Sequence, residues 1–176
     1  MSDLQPWRHP RTSPNGETTP EQKLSILRAW WPAIAWAGVI FLLSTDYFSS
    51  EHTASIISPV FRWLFPHLSE DQFNYIHHLI RKSAHFTEYF IFCLFLFRGV
   101  RGARHGWRWT WGFTAWFIAA GYACLDEVHQ AFVASRTASP YDSLLDSIGA
   151  LFAFAALWLW FQLRRKSNQP RTAAQA

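Results

Sequence analysis

Only two of the 176 residues are cysteine, Cys93 and Cys124. Both fall inside apolar runs, where cysteine behaves as a small buried hydrophobe. With no cysteine framework and no CxxC pair, a disulfide-stapled domain and a thiolate metal site are both excluded. Acidic residues are also few, 12 against 16 Lys plus Arg, for a net charge of +4. That balance would suit a nucleic-acid binder. The basic residues stand beside apolar runs, however, and no nucleic-acid motif accompanies them, so no nucleic-acid partner is expected. The chain has no internal repeat of helical-array length. It has no activated nucleophile either: Ser83, Thr87 and Ser143 sit in ordinary contexts. A metal held by His85, Glu88, Asp126 and Glu127 would need a ligand spacing that the sequence lacks. Neither a metal nor another cofactor is therefore expected.

What the chain has is apolar and aromatic surface. Half of it is hydrophobic and 18% aromatic, with 11 Trp, a residue that favours membrane interfaces. Four apolar segments approach the length of roughly 20 residues that crosses a bilayer: about 29–45, 83–100, 109–125 and 144–163. Pro32 is predicted in the first turn of the first segment, where a missing N–H does little harm. The fold class predicted is all-α, a polytopic membrane protein with a bundle of about four transmembrane helices. Residues 1–28, polar and carrying Pro6, Pro10, Pro14 and Pro20, read as a disordered cytoplasmic tail. They do not have the form of a cleavable signal, because the first apolar segment comes late. Residues 166–176 read as a second tail.

Lys and Arg placement gives the orientation. Lys23 and Arg28, then Arg98, Arg101, Arg104 and Arg108, then Arg164, Arg165 and Lys166 mark the cytoplasmic side. The alternate loops are richer in acid. Trp30, Trp31, Trp107, Trp109, Trp111, Trp158 and Trp160 fall at the same predicted ends, as one aromatic belt. Both termini are then cytoplasmic, in a multi-pass membrane protein. The long first outer loop contains "PVFRWLFPHL", residues 59–68, too short to span and predicted to be an interfacial or re-entrant piece. After it, Ser69 is predicted to cap a helix with acid in its first turn.

Charge next to hydrocarbon is costly and marks either anchors or a site. In "RKSAHFTEY", residues 81–89, a helical turn of about 100° per residue puts Lys82, His85 and Tyr89 on one face. Arg81, Glu88 and His78 lie at its margins, while Phe86 and Phe90 point elsewhere, towards lipid. In "CLDEVHQAFVASR", Asp126 and Gln130 are i, i+4 neighbours, flanked by Glu127 and His129. Arg136 follows in the short outer loop. In "SPYDSLLDSIG", Ser139, Pro140 and Asp142 form an S-x-x-D helix start. Asp146, one turn deeper on the face of Asp142 and Gly149, is predicted to face a partner helix or cavity, and the small residue at 149 allows close approach. Three helices thus bring polar faces to one membrane level, with the signs near balance. His85 adds a group that titrates near neutral pH.

At these residues the chain resembles the VanZ-like family of bacterial membrane proteins. The matching motifs are "RKSAHFTEY", "DEVHQAF", Arg136 and "DSLLDSIGA", in the family's order, and the resemblance spans roughly residues 30–165. It picks out Lys82, His85, Glu88, Asp126, Glu127, Gln130, Arg136, Asp142 and Gly149. The chain departs from the family's pattern in lacking a Pro shortly before the loop arginine, and in carrying Asp146 where many members have Asn. The family's name implies a link with low-level resistance to the glycopeptide teicoplanin.

Three functions fit this residue set. In the first, a site at the outer interface handles a lipid headgroup or cell-envelope precursor. Arg81, Lys82, Gln130, Arg136 and Asp142 bind it, and His85, Glu88, Asp126 and Glu127 are the candidate acid/base groups. In the second, the same residues form an interhelical ion-pair network in a non-enzymatic scaffold. In the third, they relay protons in a small transporter, although no chain of ionisable groups reaches the cytoplasmic side.

Overall fold

The computed structural model describes residues 19–45, 58–59, 63–65, 67–133 and 139–167. Among them the chain is all-helical, with four long helices and no strand: α1 (Pro20–Leu43), α2 (Glu70–Arg101), α3 (Trp109–Gln130) and α4 (Pro140–Ser167). Each predicted span lies inside one of these helices, with the first overrunning α1 by two residues. The helices extend beyond the spans because hydropathy marks the apolar stretch, whereas caps mark the helix ends. α1 starts at a capping box, with Thr19 accepting from the Gln22 N–H and Gln22 accepting from the Thr19 N–H. Residues 20–28, read as part of a tail, are therefore helical, and Pro32 lies inside α1 rather than in its first turn. There it supplies no N–H to the carbonyl one turn back. The predicted cap at Ser69 is present as a second capping box with Gln72, and Glu70 and Asp71 occupy the first turn of α2. Gly102, at φ +58°, ends α2 in a backbone conformation that side chains disfavour. Of the predicted interfacial stretch, residues 60–62 and 66 lie outside the described residues. Trp63, Leu64 and Phe65 are exposed. Residues 1–18 and 168–176 of the two predicted tails also lie outside.

α2 is the central helix, packed on α1, α3 and α4, and α3 also packs on α4. Its buried row, Tyr89, Phe92, Cys93, Leu96 and Phe97, follows helical spacing and continues the line of Lys82 and His85. α3 offers Ala115, Ala119 and Ala123, and α4 offers Gly149, Ala150 and Ala153, all buried. Small residues at these positions let backbones approach closely. Phe86 and Phe90 differ from their predicted outward direction. Phe86 packs edge-on against Phe152 of α4, at 5.4 Å between ring centroids, and Phe90 packs on the core. Part of the aromatic belt is inward too: Trp111 is buried, and Trp107 sits among Phe97, Trp109 and Phe154. Large apolar side chains cover the outside, such as Ile34 and Leu42 on α1, Phe117 and Leu125 on α3, and Leu144 and Phe152 on α4. α1 and α4 are each long and apolar enough to cross a membrane.

Candidate functional site

The site forms where the first turns of α4 face residues 81–89 of α2. Lys82 Nζ donates to Asp142 Oδ1. One turn deeper, His85 Nδ1 lies 3.8 Å from Asp146 Oδ2. Exposure falls along this line, from 29% and 21% for the Lys82 and Asp142 side chains to 16% for His85 and 3% for Asp146. The recess between the two helices therefore runs from a partly exposed ion pair at its mouth to a buried carboxylate at its floor. Below Asp146, Gly149 meets the backbone of α2. A Cβ there would overlap the Phe86 carbonyl oxygen and come within 3.1 Å of its carbon. This contact sets how closely α4 can present its two aspartates.

Glu127 of α3 closes the third side. Its Oε1 accepts the backbone N–H of Ser139. In an S-x-x-D capping box that N–H would go to Asp142, so Glu127 takes the role predicted for Asp142, whose Oδ1 faces Lys82. Asp142 keeps only a backbone tie, its N–H donating to the Ser139 carbonyl at 2.8 Å. Arg81 is half-buried within reach of the Glu127 charge. Burial lowers its pKa, and Glu127 partly offsets this. Burial and then the neighbouring Arg81 also lower the Lys82 pKa, against Asp146 and Glu127, which raise it. Lys82 thus gives up its proton more readily than a free lysine, and its charged form depends on the carboxylates around it, Asp142 first among them.

The other predicted residues of α3 are engaged elsewhere. Ser44, at the end of α1, donates to Asp126 Oδ1 at 2.5 Å, while Gln130 Nε2 donates to Asp126 Oδ2 at 3.1 Å and to Ser44 Oγ at 3.4 Å. All three are buried. Asp126 and Gln130 share a face as predicted, and that face holds α1 against α3. Two further bonds hold α1 in place, from Tyr122 OH to the Ala37 carbonyl at 2.8 Å and from Trp36 Nε1 to the Glu88 carbonyl at 2.9 Å. Glu88 also lines a shallow lateral groove with Trp36, Ser83 and Thr87. His129 packs on Phe41, at 4.9 Å. Arg136 lies outside the described residues.

Sequence reasoning missed Ser44, which reads only as the polar end of an apolar run, and did not pair Asp146 with His85. The clue to Asp146 was its depth on the Asp142–Gly149 face. Tyr89 and Asp146 complete the floor. The Tyr89 hydroxyl and Asp146 Oδ1 are buried without a hydrogen-bond partner among the described residues. Such groups cost free energy unless something polar reaches them. At 3.8 Å the His85 imidazole and the Asp146 carboxylate are beyond hydrogen-bond distance but close enough to attract when the ring carries a proton. Among the described residues no three His, Cys, Asp or Glu side chains converge as metal ligands.

The sequence profile of the VanZ/LLP1 family matches residues 29–162, which take in the whole of this recess and the Ser44–Asp126–Gln130 tie. The chain belongs to the VanZ/LLP1 family. No curated protein and no solved structure matches it. The VanZ/LLP1 match begins inside α1 and ends inside α4, so the family region is the helical bundle itself. Family membership and two helices able to cross a bilayer mark this VanZ-like chain as a membrane protein.

Proposed function

We propose that this VanZ-like protein crosses the bacterial cytoplasmic membrane four times, with both termini inside, and holds the anionic headgroup of a membrane lipid or lipid-linked envelope precursor in the recess between α2, α3 and α4. The observation that carries this reading is the graded recess, with Lys82–Asp142 at the mouth and His85–Asp146 on the floor. An anion entering at the mouth replaces Asp142 on Lys82. It also gains Arg81 and, from the outer loop, Arg136, whose guanidinium forks suit phosphate or carboxylate. His85, steadied by Asp146, then donates or accepts a proton at the bound headgroup. Asp126 and Gln130 act by holding α1 in place, which is the part of the scaffold reading that the buried Ser44–Asp126–Gln130 bonds favour. Binding an envelope precursor would account for a connection to glycopeptide resistance.

Native mass spectrometry of the purified protein tests the reading. Lys82→Ala and Arg136→Ala should each lower co-purified anionic lipid about tenfold, the scale of one lost charge-assisted hydrogen bond. The Lys82→Ala protein should melt within a few degrees of wild type, because a half-exposed ion pair contributes about 1 kcal/mol or less. Unchanged lipid together with a large fall in melting temperature would replace headgroup binding with the scaffold.

A further inference from the structure

The end of the bundle away from the recess carries an unusual charge distribution. No acidic residue occurs between Glu88 and Asp126, and none follows Asp146. A cavity of about 720 Å³ opens there between the end of α2, the turn before α3 and the last turns of α4. Arg101, His105, Arg164 and Arg165 line it, together with Trp107 and Phe161. The Arg101 guanidinium stands 5.7 Å above the Phe161 ring, and that of Arg164 stands 4.2 Å above Trp160. Among the described residues no carboxylate pairs with Arg101, Arg164 or Arg165. Two hydrogen-bond donors on the cavity wall, Arg101 Nε and the Trp107 indole N–H, are buried without an acceptor among the described residues. Buried donors are almost always satisfied in folded proteins.

We infer that this cavity is a second lipid site, which takes the phosphate of an anionic phospholipid with the first part of its acyl chains. The phosphate supplies acceptors for Arg101 Nε and Trp107 Nε1 and charge for the surrounding cations. Phe161 and the tryptophans supply an apolar wall that a free phosphate ion would leave unused. Basic pockets between helices at a membrane surface suit headgroups of this kind. The site is separate from the recess: Lys82 and Arg101 are 19 positions apart on α2, about 28 Å at helical rise.

Native mass spectrometry of the full chain, titrated with phosphatidylglycerol and with phosphatidylcholine, tests the assignment. Phosphatidylglycerol should bind this site about tenfold more tightly. Arg165→Gln, at an exposed position, and Trp107→Phe, which keeps an aromatic side chain but removes the indole with its N–H, should each weaken it several-fold. Arg101→Gln should weaken it most. Lys82→Ala should leave it unchanged, so a failure of the recess reading would be seen separately. Equal binding of the two lipids, or phosphatidylglycerol binding untouched by all three variants, would overturn the inference. Displacement of the lipid by millimolar inorganic phosphate would also overturn it, in favour of a site for the free ion.

Discussion

Gly149→Ala should destabilise the protein by about 3 kcal/mol, the upper range for forcing extra volume into a packed contact. The new methyl group would overlap the carbonyl oxygen of Phe86. That oxygen belongs to the backbone of a helix, so no side-chain rotation relieves the clash, and α2 and α4 must move apart. The Lys82–Asp142 and His85–Asp146 pairs span the same two helices, so both should loosen together. Gly38→Ala and Gly121→Ala provide the contrast. Nothing lies within 4 Å of a Cβ at either position, and alanine in a helix interior should stabilise by about 0.5–1 kcal/mol. Melting curves in one detergent check all three variants. A Gly149→Ala protein as stable as wild type would show that α4 does not approach α2 this closely.

Asp126→Ala should be comparably damaging, at about 3 kcal/mol or more, because it removes the buried acceptor of the Ser44 hydroxyl and leaves the Gln130 amide only its longer bond, to Ser44 Oγ. Asp126→Asn should be milder, since its side-chain oxygen can still accept from Ser44 and the Gln130 amide can turn over. Ser44→Ala should fall between these. The double variant Ser44→Ala/Asp126→Ala should lose less than the sum of the two single losses, by about 0.5–3 kcal/mol, the range for residues in one network. Additive losses would mean that the two residues act independently. Lys82, paired with Asp142 outside this network, gives the opposite pattern: its replacement should affect lipid binding far more than melting.

Much of the bundle was legible because its causes are local. The start of α3, the Ser69 cap and the shared face of Lys82 and His85 depend on residues within a turn or two of one another. The ends of α1 and the place of Pro32 were misread because apolar length reports what can sit in hydrocarbon. The Thr19–Gln22 box, which starts the helix, lies in a polar stretch that resembles a tail. Phe86 was misplaced for a different reason. Its direction is fixed by the absence of a side chain at Gly149, on a helix far along the sequence. Ser44 and Asp126 are 82 positions apart, and neither signals the other. Glu127 likewise displaces Asp142 from a cap that local spacing favoured, because Ser139 lies against the end of α3.

The meeting of Gly149 with the Phe86 carbonyl has a mechanical consequence. Two stiff rods that touch through backbone at such a point can rock about it but cannot come closer there. The fulcrum lies just inward of the Lys82–Asp142 pair. The far arms run to Phe97 and Phe161, whose rings are 5.9 Å apart, beside the basic cavity. Spreading the short arms to admit a guest would draw the long arms together, and the long arms would travel farther. Paired distance labels at both ends would then change with opposite sign, so that occupancy of the recess would be felt as leverage at the far end of the bundle.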